Sequence, residues 1–232
     1  MNFKDECLKL NINIDNKMEE RFEKYYDKLI YVNNFMNLTA ITEKEEVYNK
    51  HFYDSLTILK ALNNKNNITL CDVGSGAGFP SIPLAIVRDD INVTIIDALN
   101  KRINFLNELV KELGLNNVNA YHFRAEDFVK EKRNYFDVVS ARAVARLNIL
   151  CELCMPLVKI GGIFIAMKGE KSQEEINEAR NAIKILGGKI LDVISFELPD
   201  NIGQREIIVI EKIKDCDKKY PRLFSKIKEK PL

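Results

Sequence analysis

The chain has 232 residues, 46% of them apolar, and its 35 Lys and Arg against 34 Asp and Glu leave a formal net charge of +1. That length can bury a sizeable core, so one domain with an extension is expected rather than two equal domains. No apolar run approaches the ~18 residues of a membrane span, Met1–Glu6 lacks the apolar stretch of a signal peptide, and the cysteines at 7, 71, 151, 154 and 216 are odd in number and unlike a secreted disulfide framework. A cytoplasmic protein with no membrane partner is expected.

Residues 1–66 read as a helical N-terminal extension. Met18, Phe22, Tyr25, Tyr26, Leu29 and Val32 recur at helical spacing behind Asp15, a candidate N-cap. A second helix is expected from Thr42, where Glu45 completes a T-x-x-E capping box, through Val47, Tyr48, Phe52, Leu56 and Leu59. The run Asn63-Asn64-Lys65-Asn66-Asn67 then breaks the pattern.

From residue 67 to 213 strands and helices alternate. Strands are expected at Ile68 to Val73, Val93 to Ile96, Val118 to His122, Phe136 to Ser140, Ile163 to Met167, Ile190 to Phe196 and Ile207 to Ile210. Helices between the first five imply an α/β chain with a wound, mostly parallel sheet. Gly187-Gly188 and the short link Pro199 to Gln204 make the last two strands a hairpin. Cys151 and Cys154 form a lone C-x-x-C with no second pair and no nearby His, which places them on a core helix face rather than on a metal.

The most informative segment is Leu70-Cys71-Asp72-Val73-Gly74-Ser75-Gly76-Ala77-Gly78-Phe79-Pro80. A short apolar strand feeds into three alternating glycines, which reach backbone angles closed to other residues and let a ligand approach the main chain. Pro80 suits the first turn of the next helix. A dinucleotide site reads G-x-G-x-x-G and receives a pyrophosphate. Here the spacing is G-x-G-x-G, with Asp72 two residues ahead, where it would disfavour phosphate and suit a cationic ligand. S-adenosylmethionine carries a sulfonium and an ammonium and no phosphate. The plainer alternative is a glycine turn with no ligand. Asp97, about 20 residues beyond the glycines, stands where such folds place the acid that accepts ribose hydroxyls; a surface Asp capping the helix that opens at Asn100-Lys101-Arg102 and ends at Gly114 is the other reading.

The C-terminal tail, 214–232, either packs on or extends from the same domain. Across residues 212–230 stand Lys212, Lys214, Lys218, Lys219, Arg222, Lys226, Lys228 and Lys230 against Asp215, Asp217 and Glu229. This leaves the rest of the chain mildly acidic. Tyr220, Pro221 and Phe224 interleave with the charges, and aromatic groups among cations suit RNA stacking and phosphate contact.

These motifs resemble the class I S-adenosylmethionine-dependent methyltransferases and, within them, the bacterial small-subunit rRNA methyltransferase G family, also called glucose-inhibited division protein B. The resemblance covers nearly the whole chain. It is carried by Asn37-Leu38-Thr39-Ala40-Ile41, His51-Phe52-Tyr53-Asp54-Ser55-Leu56, the glycine segment through Ile82-Pro83-Leu84, Arg124-Ala125-Glu126, Ser140-Ala141-Arg142-Ala143, Met167-Lys168-Gly169, Tyr220-Pro221-Arg222 and Pro231-Leu232. Ser81 stands where the family usually has glycine, and the tail after Arg222 lacks the family's common glycine.

The resemblance implies a Rossmann-like fold with one antiparallel strand among seven, S-adenosylmethionine as cofactor, and methyl transfer to N7 of a guanine in the decoding-centre stem-loop of 16S rRNA, presented as rRNA or as a precursor small ribosomal subunit. It implies a cofactor set of Asp72, Gly74, Gly76, Gly78 and Phe79, with Asp97 on the ribose, Ala125 and Glu126 on the adenine, and no metal. Arg142 is the expected positioning residue, for the methionine carboxylate, the guanine or a phosphate, since a guanidinium fork suits all three; its alternative is an ion pair with Asp72 or Glu126. Lys168, Lys218, Lys219, Arg222, Lys226 and Lys228 are the candidate RNA contacts.

The residues agree with such chemistry. Guanine N7 has a free lone pair and needs no deprotonation, so catalysis rests on positioning and electrostatics. After the fourth strand there is neither the Asn/Asp-Pro-Pro-Tyr/Phe signature for an exocyclic amine nor a Pro-Cys nucleophile. His51 and Asp54, three apart on a helix, read as a capping or domain-bridging pair rather than a catalytic dyad. The rival functions are a nicotinamide-dependent oxidoreductase on a similar sheet and a non-catalytic RNA-binding or assembly module.

Overall fold

The computed structural model describes residues 2–62, 65–170 and 172–232; Met1 of the N-terminal segment and Asn63 and Asn64 of the expected break lie outside the described residues. A short helix α1 (Phe3–Leu8) precedes the amphipathic α2 (Asn16–Met36). The Asp15 carboxylate caps α2 by accepting the Met18 amide at 2.7 Å, which satisfies one of the free N–H groups of its first turn. Phe22, Tyr25 and Leu29 on its expected inner face are fully buried, each contributing about 1.5–3 kcal/mol relative to an exposed side chain.

The expected second helix is broken into α3 (Lys44–Val47), a π-helical turn over Tyr48–Tyr53, α4 (Asp54–Leu56) and α5 (Leu59–Leu62). The T-x-x-E capping box does not form. The helix starts two residues after Thr42, Glu43 is its N-cap without a side-chain bond, and the Thr42 carbonyl accepts the Tyr26 hydroxyl at 3.1 Å.

The sheet is built from β1 (Thr69–Val73), α6 (Ser81–Val87), β2 (Asn92–Asp97), α7 (Asn100–Leu113), β3 (Val118–His122), α8 (Ala125–Lys132), β4 (Phe136–Arg142), α9 (Leu147–Cys154), β5 (Val158–Lys168), α10 (Ser172–Ile185), β6 (Gly188–Leu198) and β7 (Gly203–Lys212). Its order is β3-β2-β1-β4-β5-β7-β6. The first five strands pair in parallel, and β7 runs antiparallel to both β5 and β6. The seven expected strands are all present, and β5, β6 and β7 extend beyond their apolar cores. Pro80 is the N-cap of α6 rather than a first-turn residue, and Pro83 takes the third helical position, where a missing N–H still costs no helical bond. Gly114 closes α7 in the left-handed region at φ 61°.

Two apolar layers cover the sheet. Leu70, Val93, Ile95, Val138 and Ile163 face α1, α2, α6, α7 and the broken helix, while Cys71, Val73, Val139, Phe164 and Ala166 face α8, α9 and α10. Successive strand residues thus point to opposite layers, and both faces of the central parallel strands are covered, while the edge strand β6 is largely exposed. All five cysteines are free and buried. No group of three or more potential metal ligands occurs among the described residues, and none of their helices is long and apolar enough to cross a membrane.

The tail folds back on the second layer. Cys216, Tyr220 and Ile227, the last in α11 (Phe224–Glu229), are buried there. The Arg222 guanidinium grips the fully buried Glu152 carboxylate of α9 through Nε at 2.8 Å and Nη2 at 2.6 Å. Lys212, counted with the basic segment, is also fully buried; its Nζ donates to the Met155 carbonyl at 2.9 Å, and burial lowers its pKa.

Candidate functional site

The glycine turn joins the carboxyl end of β1 to α6, at the place where the order of strands reverses between β1 and β4. Wound sheets bind ligands there. Gly74, Gly76 and Gly78 have φ of 75°, 62° and 106°, the left-handed region that side chains disfavour. Their surroundings differ. A Cβ on Gly76 would meet nothing within 4 Å, whereas one on Gly74 would lie 2.8 Å from a Val144 methyl and one on Gly78 would lie 2.7 Å from Ile82 and 2.9 Å from the Tyr25 hydroxyl. The turn therefore has an open side at Gly76 and a side packed into the core at Gly78.

Asp97 ends β2 beside that open side. One carboxylate oxygen accepts the Gly76 amide at 3.2 Å and faces the Arg102 guanidinium at 3.3 Å, and the other accepts the Leu99 amide at 2.8 Å. Asp97 is 4% exposed and is not the N-cap of α7, which is Leu99. It braces the glycine turn through the Gly76 amide.

Asp72 lies lower, fully buried. Its carboxylate accepts the hydroxyls of Ser81 at 2.7 Å and Ser140 at 3.0 Å. Burial pushes its pKa up to about 6, against the opposing pull of these hydroxyls. It therefore supports the turn from beneath, through the hydroxyls of α6 and β4. Ser81, a departure from the resemblance, is one of its two main donors; nothing in the sequence pattern pointed to that pairing.

On the other side of the switch point a cavity of about 460 Å³ opens over the ends of β4, β5 and β7, lined by His51, Asp54, Arg142, Met167, Phe196 and Arg205 among others. The Arg142 guanidinium pairs with Asp54 at 2.9 Å, not with Asp72 or Glu126, and lies 4.9 Å from the centroid of the Phe79 ring. Phe79 stacks on His51 at 4.6 Å and on Tyr25 at 5.6 Å, so it is buried among aromatic rings. Burial and the adjacent Arg142 push the His51 pKa down to about 4. His51 Nε2 lies 2.8 Å from the Thr39 hydroxyl, and Nδ1 is buried without a partner. His51 and Asp54 do not pair with each other; each separately ties the N-terminal helices to the sheet side of the cavity. Arg205, to which no sequence motif points, reaches the second Asp54 oxygen at 3.3 Å.

The remaining expected residues divide between this region and structural duty. Ala125 is buried at the start of α8, and Glu126 accepts the Phe224 amide of the tail at 3.4 Å. Lys168 is held by the Ala145 carbonyl and by Glu175, both at 2.7 Å, and Arg222 by Glu152, so neither offers a free cation to RNA. Lys218, Lys219, Lys226 and Lys228 are exposed.

Three kinds of similarity bear on this arrangement. The family model for rRNA small subunit methyltransferase G matches residues 18–208. The ribosomal RNA small subunit methyltransferase G of Staphylococcus saprophyticus is 53% identical over 212 residues, covering 91% of this chain and 89% of the relative. Among solved structures, a SAM-dependent methyltransferase from Aquifex aeolicus superposes with a TM-score of 0.54 at 20% identity, covering 72% of this chain and 93% of that one. M. jannaschii TYW2 in complex with AdoMet gives 0.53 at 22% identity, covering 66% and 73%. At such identities the two structures speak for the fold alone.

Proposed function

The chain belongs to the rRNA small subunit methyltransferase G family, and from that premise we propose that it methylates N7 of a guanine in the decoding-centre stem-loop of 16S rRNA. It is an S-adenosylmethionine-dependent rRNA methyltransferase, which sets aside the nicotinamide-dependent reading.

The observation that carries the proposal is the pairing of an open glycine face with a separate polar cavity across the switch point. The open side of Gly76, with the Asp97 carboxylate beside it, fits the nucleoside part of the cofactor: Gly74, Gly76 and Asp97 would hold its ribose side, and Ala125 with Glu126 its adenine. When bound, S-adenosylmethionine supplies an electrophilic sulfonium methyl. The chain's own groups orient an acceptor in the cavity and exclude water. His51, whose pKa is pushed down to about 4, is neutral near neutral pH and a weak base, and Asp54 is engaged by two guanidinium groups. A nucleophile that arrives with a free lone pair, such as guanine N7, suits a site of this kind.

In this reading Arg142 positions the acceptor, and Lys218, Lys219, Lys226 and Lys228 meet phosphates of the rRNA or of the precursor subunit. The chain divides into a helical extension (1–66), a cofactor-binding domain (67–213) and a basic tail (214–232), and it works in the cytoplasm where its substrate is made. The test is incubation of the purified protein with labelled S-adenosylmethionine and unmodified 16S rRNA or small subunits, followed by mass mapping. One N7-methylguanosine in the decoding-centre stem-loop is expected. Tight cofactor binding without methyl transfer to either substrate would favour a non-catalytic assembly role instead.

A further inference from the structure

The cavity over β4, β5 and β7 is lined by three carboxylates, and their partners separate them. Glu175 accepts the Leu147 amide at 2.7 Å and pairs with Lys168 at the same distance. Glu206 accepts the Ser172 amide at 3.1 Å and the Ser195 hydroxyl at 3.2 Å. Both are spent on tying backbone and framework together. Asp54 is held differently: two guanidinium groups on different strands, Arg142 and Arg205, approach its two oxygens at the cavity wall. An ionised carboxylate has about four acceptor positions, so the two arginines orient it and leave it able to accept more.

We propose that Asp54 is the specificity-determining residue for the acceptor base, its carboxylate accepting the N1–H and 2-amino donors of guanine; this rests on the guanine-N7 reading above. The chemistry of the reaction selects this edge. Arginine usually reads guanine by a fork on O6 and N7, but a fork on N7 would occupy the lone pair that must attack the methyl group. Arg142 and Arg205 therefore cannot read the base that way in a reactive complex. The edge left for recognition presents two parallel donors, and it needs a pair of acceptors on one rigid group. Asp54 is the carboxylate of the cavity whose present partners are side-chain cations alone.

Discrimination follows from the same geometry. Adenine offers a lone pair at N1 where guanine offers a proton, so it would set an acceptor against the carboxylate and leave an acceptor position that the two arginines do not fill without a donor. The rest of the cavity suits a flat base: Met167 and Ile207 supply apolar surface, Phe196 an aromatic wall of the kind on which unpaired RNA bases stack. A volume of about 460 Å³ is within the usual range for small-ligand sites.

The test compares two RNAs, 16S rRNA assembled by splinted ligation with guanosine or inosine at the methylated nucleotide and built into small subunits. Inosine keeps N7, O6 and N1–H and lacks the 2-amino group. With the unaltered protein, kcat/KM is expected to fall tenfold or more on inosine. In Asp54→Asn that gap is expected to shrink below threefold, while calorimetric affinity for S-adenosylmethionine stays within threefold. Equal rates on the two RNAs overturn the assignment, and so does an inosine penalty that persists in a folded Asp54→Asn protein. A tenfold loss of cofactor affinity in that variant also overturns it, because Asp54 would then serve the cofactor. Should the variant not fold, inhibition of the unaltered protein decides: guanosine 5′-monophosphate is expected to act at a tenfold lower concentration than inosine 5′-monophosphate, and equal effects, none included, overturn the assignment. Failure of the guanosine RNA to gain N7-methylguanosine would overturn the proposed function itself, and is read separately by mass mapping.

Discussion

The Asp54 carboxylate and the Arg142 guanidinium, 88 residues apart in sequence, meet at 2.9 Å, and through them the N-terminal helices are joined to the carboxyl end of β4. The pair is nearly enclosed, with side-chain exposures of 9% and 13%, so its geometry is shielded from the screening that weakens surface pairs. The guanidinium also lies over the Phe79 ring, which begins the approach to α6. One arginine thus touches the N-terminal helices, the glycine turn and the cavity.

Replacing Arg142 by lysine keeps the charge and removes the planar fork. Single-turnover methylation at saturating cofactor is expected to slow by tenfold or more, with cofactor affinity changed by less than threefold. A tenfold loss of affinity, about 1.4 kcal/mol, with turnover retained would instead place Arg142 on the methionine part of the cofactor.

The two sides of the glycine turn are separable by mutation. Gly76→Val puts a side chain into the open space beside Asp97 and forces a branched residue to a φ of 62°, so calorimetry should find no binding of S-adenosylmethionine to a protein that still folds. Gly78→Ala presses a methyl against Ile82 at 2.7 Å and Tyr25 at 2.9 Å, and it should lower unfolding stability by about 1–3 kcal/mol through overpacking. Normal cofactor affinity in a folded Gly76→Val protein would remove the cofactor from this turn.

Asp72 makes stability depend on pH. Its folded pKa is raised from 3.8 to about 6 by burial, so between these values the native state holds a proton that the unfolded chain has released. The contribution is fully present below pH 3.8 and is lost as pH rises through about 6, above which the native state is less stable by about 3 kcal/mol than it is in acid. Asp72→Asn is therefore expected to gain stability over the parent protein at pH 8, by up to that amount, and to show little gain near pH 4. Urea unfolding at both values checks it, and an equal difference at the two would refute the buried-charge account.

In the tail, cations of the same type should behave differently. Arg222→Ala strands the buried Glu152 carboxylate, and loss of one partner from a buried pair costs about 3–5 kcal/mol; chemical denaturation should show a loss of that order, reduced by the partial exposure of Arg222. Lys226→Ala and Lys228→Ala are expected to leave stability within about 0.5 kcal/mol. Their effect should appear in RNA binding, where the salt dependence flattens by roughly 0.7–0.9 in slope for each phosphate that is no longer neutralised. An unchanged salt slope would take the tail out of the RNA interface.

Much of this molecule is local and therefore legible along the chain. Asp15 caps α2 because an aspartate before a helical apolar pattern has a free amide within reach two or three residues on, and the glycines of the turn adopt positive φ because their neighbours leave them no cheaper path. Apolar-rich stretches of four to seven residues, broken by turns, marked all seven strands, and the distance from Gly76 to Asp97 placed the acid at the end of β2. These features depend on residues close in sequence, whose preferences are expressed before any distant contact forms. Ion pairing and burial of long polar side chains do not. Asp54 with Arg142 and Arg205, Asp72 with Ser81 and Ser140, Glu152 with Arg222, and the enclosure of Lys212 are set by which ends of strands and helices the topology brings together. A lysine or carboxylate looks the same in the sequence whether it is solvated or buried, and only the packed sheet, by removing water from one and leaving it around the other, decides which charge supports the fold and which remains available to a ligand.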